Sequence, residues 1–131
     1  MVIAIIGVLA AVAIPAYNKY KADAEVNTVL STIANIKKAF NICLASGTAV
    51  GNCASPDVNE TISVSGSGDI DFTPGTATNP GCWLVRAKGT GGGTNAGCVQ
   101  LDENGSVSAE SDAATIRGSA TTCSTSGVCT P

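Results

Sequence analysis

The chain has 131 residues, of which 44% are hydrophobic and only 13% charged, with a net charge of −3 and no histidine. This composition excludes a histidine-based catalytic centre or metal site, and the acidic balance disfavours a nucleic-acid binder driven by overall charge. Six cysteines in so short a chain indicate that disulfides supplement a small core, as in exported proteins. We therefore expect one domain with an appendage.

An apolar segment begins the chain. Residues 1–18 contain no charged side chain, and the first is Lys19. As a helix the stretch is about 25 Å long, just short of the ~30 Å hydrocarbon core of a bilayer. A signal peptide is disfavoured because the charged region that opens one is absent. The segment instead continues without glycine or proline from Ala16 to Ser46.

The pattern predicts one long helix that runs to Ser46 and stops at Gly47. Its first third is apolar all round, whereas the remainder is amphipathic, with apolar residues every three or four positions. Lys19 and Lys21 can snorkel to a membrane interface, where aromatic side chains also concentrate. The apolar stripe of the amphipathic part comprises Val26, Val29, Leu30, Ile33, Ile36, Phe40, Cys43 and Leu44.

Two helix breakers lie within the apolar part. Pro15 has no N–H and crowds the carbonyl of Ala11, and Gly7 weakens the helix by about 1 kcal/mol relative to alanine. One interpretation is a kink tolerated in a membrane helix. The other is a site of local melting or stretching.

The rest of the chain predicts a β-rich head. Residues 45–60 are rich in turn formers, and the run 82–88 alternates, with Trp83, Val85 and Ala87 on one face. We predict an α+β fold, an antiparallel meander of about three or four strands packed on the amphipathic half of the helix. The other predicted strands and turns are Thr61–Val64, Asp69–Phe72, 98–101 and 106–110, with turns at 66–68, 89–97 and 102–105.

Nothing in the head indicates catalysis or a cofactor. No histidine can act as a base, and no G-x-S-x-G elbow occurs. The glycine-rich run 89–97 is not followed by Lys-Ser or Lys-Thr, so a hairpin loop is favoured over a phosphate cradle. The acidic pairs Asp69/Asp71 and Asp102/Glu103 are too few ligands for calcium. We expect no enzyme, cofactor or metal.

The N-terminal run VIAIIGVLAAVAIPAYNKYKADA resembles the N-terminal helix of type IV pilins, particularly the type IVa branch. The matching features are Gly7, Pro15 eight positions later, the AIPAY step and the alanine-rich stretch between them. Family members begin with an N-methylated phenylalanine and a short run containing a glutamate that neutralises a neighbour's N-terminus. That run is absent here, so we expect a segment to precede Met1, and the glutamate's role falls to no residue of this sequence.

The resemblance implies a structural subunit that polymerises into a type IV pilus through its apolar helix and supports adhesion, motility or DNA uptake. It divides the chain into residues 1–22, a membrane anchor and filament core, and residues 23–131, the head. Its implied partners are further copies of itself, the inner membrane before assembly and the pilus assembly machinery, with the filament at the bacterial surface. The filament-core and melting residues are Gly7, Pro15, Ile5, Ile6, Leu9, Val12 and Ile14.

Contact with DNA is possible, but the acidic head does not support it. Two alternative functions stay open. One is a pseudopilin of type II secretion, although such major subunits usually rely on calcium rather than on disulfides. The other is a membrane-anchored binding module that never polymerises. Formation of fibres by the purified protein would distinguish a pilin from this module.

The even number of cysteines predicts three disulfides, since no C-x₂-C pair indicates zinc. Pairing of sequence neighbours predicts Cys43–Cys53, Cys82–Cys98 and Cys123–Cys129. The last pair is best supported, because it encloses the short loop STSGV and resembles the disulfide-bounded loop near the C-terminus of many pilins.

Overall fold

The structure is a computed structural model that describes residues 2–53, 68–76, 79–87, 95–118 and 121–131. The predicted strand Thr61–Val64 lies outside the described residues, as does most of the glycine-rich run. Most of the predicted turn at 66–68 and residues 54–60 of the predicted loop lie outside them as well.

A single helix, α1, covers Val2–Ala45. Its end matches the predicted stop, because the amide of Gly47 donates to the carbonyl of Leu44 at 3.0 Å and Gly47 has a φ of 81°. This left-handed conformation favours glycine, which has no Cβ to clash with the backbone. The sequence therefore ends the helix by a local mechanism.

A four-stranded antiparallel meander, in the order β1-β2-β3-β4, packs on the second half of α1. This arrangement confirms the predicted α+β class. β1 is longer than expected and includes Pro74, which an edge strand accommodates because one row of its backbone groups is unpaired. The strand bounds are β1 Gly68–Thr76, β2 Asn79–Ala87, β3 Ala96–Leu101 and β4 Val107–Glu110.

Three further short pieces complete the described part of the head. Helix α2, Val50–Cys53, falls in a stretch predicted as loop, and helix α3, Ala113–Gly118, was not predicted. A second, two-stranded ladder joins β5, Thr122–Cys123, to β6, Cys129–Thr130. Elements this short depend on tertiary contacts, since their own residues cannot bury a core.

One face of the sheet packs against α1 to form the main core. Trp83 and Val85 from β2 and Val99 and Leu101 from β3 are fully buried there, as the predicted alternation requires. The ring of Trp83 contacts Phe40 edge-on at a centroid distance of 5.5 Å. The helix residues buried in this core are Val26, Val29, Ile33, Ile36 and Phe40.

The opposite face of the sheet is covered by the β5–β6 hairpin. Leu84 and Ala96 are buried there, next to a cluster of cysteine side chains. The side-chain oxygen of Gln100 accepts a hydrogen bond from the amide of Cys129 at 3.2 Å. The head is therefore layered, with helix, sheet and C-terminal hairpin in that order.

Two of the predicted disulfides are wrong. The structure has the predicted Cys43–Cys53 bond, but its other bonds join Cys82 to Cys123 and Cys98 to Cys129. The register places Cys82 opposite Gln100 rather than Cys98. Cys123 does lie opposite Cys129 in its own ladder. Because the hairpin lies flat on the sheet, each of its cysteines bonds downward to a strand instead of across to its neighbour.

Polar pairs tie α1 to the head along its length. The ammonium of Lys37 lies 2.7 Å from a carboxylate oxygen of Glu110 on β4. Nearer the middle of the helix, Arg117 of α3 lies 2.6 Å from Asp23. Such partly exposed pairs contribute little stability, and they join α1 to β4 and to α3.

Candidate functional site

The candidate site is the exposed stretch of α1 over residues 2–20, called the apolar segment below. Every residue in it is exposed, and the described residues of the head do not cover it. Exposed surface of this kind marks contact with a membrane or another protein, because single soluble domains rarely display so continuous an apolar patch. Its large aliphatic side chains, between 60% and 87% exposed, are Val2, Ile3, Ile5, Ile6, Val8, Leu9, Val12 and Ile14.

The residues predicted for the filament core all lie on this segment, but the structure does not bring them into one cluster. They are distributed around the helix, and a shallow apolar groove is lined by Ala4, Ile5, Val8 and Leu9. A side chain added at Gly7 would meet nothing within 4 Å. The segment therefore offers an apolar cylinder to its surroundings, with no converging polar groups.

The helix is continuous through both predicted breakers. Gly7 and Pro15 lie within α1 in this single chain. Pro15 still supplies no N–H to the carbonyl one turn earlier, so the backbone has a built-in weak point there. Local melting of the stretch between them stays a prediction for the assembled state.

Length and composition allow this helix to cross a membrane. Val2–Ala45 contains a window apolar enough for a span, and that window is not buried at all in the structure. A core helix of a soluble protein would be mostly buried. The apolar side chains are exposed to the surroundings, so transfer into lipid or into a packed helix bundle would stabilise them by about 25 cal/mol per Å² buried.

Burial begins just after the apolar segment. Lys21 is partly buried, and Val26 is the first fully buried residue, with 2% of its surface exposed. Tyr17 and Tyr20 remain 69% and 75% exposed beside Lys19, which is also exposed. Exposed aromatic and lysine side chains thus lie where the apolar part of the helix meets the head.

The cysteine cluster under the hairpin does not form a metal site in this state. The sulfur atoms of Cys82, Cys98 and Cys129 lie within 4.8 Å of one another. Each of them is bonded in a disulfide, whereas metal coordination requires thiolates. The chemistry of this cluster is therefore covalent cross-linking of the hairpin to the sheet.

One carboxylate of the head has a clearly perturbed pKa. The hydroxyl and the amide of Thr115 donate to Asp112, at 2.6 Å and 2.7 Å, and hold the pKa of Asp112 below its ordinary value of 3.8. Asp112 precedes α3 and caps its first turn. This group serves local structure and lies apart from the apolar segment.

A long helix whose exposed apolar first part projects from a small head with disulfides is the architecture that the N-terminal resemblance to type IV pilins predicts. Comparison with known proteins supports this class. The chain is 35% identical over 109 residues to the type IV major fimbrial protein FimA of Dichelobacter nodosus, covering 82% of the chain and 62% of that protein.

Two further FimA sequences of the same organism match at 42% identity over 53 residues and 33% over 81 residues. They cover 40% and 62% of this chain, and 33% and 51% of their own lengths. No family model matches the chain, and no solved structure does. The chain is thus related to the type IV pilins, as its N-terminal motif predicts, and it spans about three fifths of the first of these relatives.

Sequence reasoning missed the role of the C-terminal hairpin. A two-residue strand carries no periodic signal, so the ladder of β5 and β6 could not be predicted from hydropathy. The available signal was the alternation in β2 and β3, which places Cys82 and Cys98 on the face away from the buried tryptophan. Another part of the chain must cover that face of the sheet, and the segment that contains Cys123 and Cys129 is the candidate.

Proposed function

We propose that this protein is a structural subunit that polymerises into a type IV pilus filament through its apolar segment. The observation that supports the proposal most directly is that residues 2–20 are exposed on a molecule whose core is complete without them. The fimbrial relatives support the same function and a structural rather than enzymatic protein.

Burial of the segment supplies the driving force. Fully burying one valine, leucine or isoleucine side chain contributes about 1.5–3 kcal/mol. Before assembly the inner membrane would provide that burial, and in the filament the apolar segments of neighbouring copies would replace the lipid. Head-to-tail repetition without closure then generates an open helical fibre at the cell surface. The assembly machinery would transfer each subunit between the two environments.

Local melting between Gly7 and Pro15 is part of this proposal. A straight, rigid helix would hold every copy at one height, whereas a melted stretch lets the segment lengthen under tension. The weak point at Pro15 is consistent with this role, because without its N–H the turn has one hydrogen bond fewer to break when it unfolds.

Electron microscopy of filaments sheared from the source cells, with mass spectrometry of their subunit, tests the proposal. We expect thin fibres whose subunit contains this chain. Protein found only in membranes, without fibres, would instead indicate the anchored binding module.

A pair of matched variants tests the interface itself. Ile6→Asp places a charge on the apolar segment, where Ile6 is 60% exposed, and should abolish filaments. Val128→Asp places the same charge on the C-terminal turn, where Val128 is 43% exposed, and should leave them intact. Filaments of normal yield from Ile6→Asp would overturn the proposal.

A further inference from the structure

Most charged side chains of the described residues already have a partner within the molecule. Lys37 pairs with Glu110, Arg117 with Asp23, and Arg86 with Asp71. Within the same ranges, Lys19, Lys38 and Glu103 are exposed and take part in no ion pair. They are therefore among the charges that a second molecule could satisfy. Asp112 is exposed as well, but its carboxylate already accepts hydrogen bonds from Thr115.

Glu103 lies in a rigid turn at the far end of α1. The carboxylate of Asp102 accepts hydrogen bonds from the amides of Asn104 and Ser106, both at 2.8 Å, which fixes the turn at 102–105. Gly105 has a φ of 79° and packs directly against Asn41 and Leu44 of the helix. The acidic pair Asp102 and Glu103, called the acidic turn below, is therefore held at the level of Asn41.

Lys19 lies at the opposite end of the head. It precedes Asn41 by 22 positions in a continuous helix, which separates the two levels by about 33 Å along the helix axis. A lysine side chain cannot bridge that distance, so Lys19 and the acidic turn cannot meet within one molecule. In a stack of parallel copies they meet when one copy is displaced along the axis by that separation.

We infer that the acidic turn of one copy binds Lys19 of a second, parallel copy displaced by about 33 Å. This inference rests on the proposed filament function and names the surface by which two heads recognise one another. The occupant is a second copy of this chain, because the two charges are complementary. Lys19 lies on α1, and the acidic turn is packed against the same helix at Asn41.

The contact fixes the axial displacement between neighbouring copies and contributes little to the strength of their association. Exposed ion pairs contribute about 0.2–1 kcal/mol each and are screened by salt, whereas burial of the apolar segments is far larger. Apolar helices slide past one another at little cost, so a charge pair that is satisfied at one displacement selects that displacement. Repetition in every subunit multiplies the effect along the fibre.

Carbodiimide cross-linking of native filaments tests the geometry. The reagent activates the Glu103 carboxylate, the amine of Lys19 attacks it, and an amide forms with net loss of one water as the carbodiimide becomes a urea. We expect a cross-linked peptide joining Lys19 to Asp102 or Glu103 in filaments and not in detergent-solubilised monomer. Cross-links from the acidic turn to other lysines alone would overturn the inference.

Charge reversal provides a second test. Lys19→Glu and Glu103→Lys should each lower the yield of sedimentable filaments about fivefold at low salt, and the double variant should restore it. Lys38→Glu combined with Glu103→Lys is the matched control, since Lys38 is also exposed but lies at the level of the turn. This combination should not restore the yield. Full yield from both single variants would contradict the inference.

The two proposals fail differently. If wild-type protein forms no fibres, the filament function itself is wrong. If wild-type fibres form but neither the cross-link nor the rescue is seen, the function stands and the proposed contact between heads is wrong. Fluorescence of the buried Trp83 checks that each variant retains its folded head.

Discussion

At the scale of single residues, Gly97 of β3 lies against α1 with no room for a side chain. A Cβ at this position would lie 2.8 Å from Cγ1 of Val29 and 3.1 Å from Cδ1 of Ile33. Both neighbours are completely buried, so they have little freedom to move aside. The absence of a side chain at Gly97 is what lets β3 lie against α1.

Replacing Gly97 with alanine should therefore destabilise the head by about 1–2 kcal/mol through overpacking. Urea denaturation followed by the fluorescence of Trp83, which is the single tryptophan of the chain, measures this loss. Gly51→Ala is the matched control, because a Cβ there meets nothing within 4 Å and the residue is helical. An equal loss from both variants would show that crowding at Gly97 is unimportant.

Asp112 predicts a pH dependence. Its pKa is lowered in the folded state by the hydrogen bonds from Thr115, so its charged form stabilises the cap. That contribution is present above the ordinary value of 3.8 and is lost as the pH falls through the lowered pKa. We expect amide exchange of Thr115 to accelerate relative to the rest of the head over that range. Asp112→Asn retains a capping side chain without a titrating group and should remove the pH dependence.

At the scale of elements, the C-terminal hairpin depends on its cross-links. Each strand of the β5–β6 ladder has two residues, which is too short to be stable alone. The Cys82–Cys123 and Cys98–Cys129 bonds attach both strands to the outer face of the sheet and so protect Leu84 from water. The core between α1 and the sheet is formed by buried apolar side chains instead.

Removing cysteine pairs should show this difference. The Cys82→Ala/Cys123→Ala variant opens a loop with a sequence separation of 41, whereas Cys43→Ala/Cys53→Ala opens one of 10. Loop entropy predicts that the first loses roughly 1 kcal/mol more than the second. Urea denaturation of the two variants measures it. A larger loss from the shorter loop would mean that packing around Cys53 outweighs chain entropy.

The helix itself carries a prediction for the assembled fibre. Pro15→Ala restores the missing N–H, so the stretch from Gly7 should stay helical in filaments and the fibre should extend less under force. Cryo-electron microscopy and single-fibre stretching measure the two effects. Continuous helix density between Gly7 and Pro15 in wild-type filaments would contradict local melting.

At the scale of the whole molecule, α1 serves two environments. Its first part is exposed along residues 2–20, and its second part supplies one wall of the core. The change occurs over about one turn around Lys21 and Asp23, where burial and the first ion pair begin together. Under the proposed function, assembly and folding are carried by separate parts of one continuous helix.

A chain beginning at Asp23 should consequently fold as a monomeric head without detergent. It retains every buried helix residue, the Asp23–Arg117 pair and all three described disulfides. We expect a denaturation midpoint close to that of the whole protein, together with complete loss of filaments. A truncated head that unfolds would show that the apolar segment contributes to folding as well as to assembly.

The sequence by itself determined the helix, its two halves and its stop at Gly47, because hydropathy period and a left-handed glycine are local properties. It also determined the alternation in β2 and the turn at Asp102, as well as the resemblance to pilins. The pairing of four cysteines was decided only by tertiary structure. Cys123 and Cys129 are neighbours in sequence and in their ladder, yet each bonds to the sheet beneath, because the hairpin must cover the face that α1 leaves exposed. Which surface an element covers is a property of the assembled layers, and no local pattern in β5 or β6 encodes it.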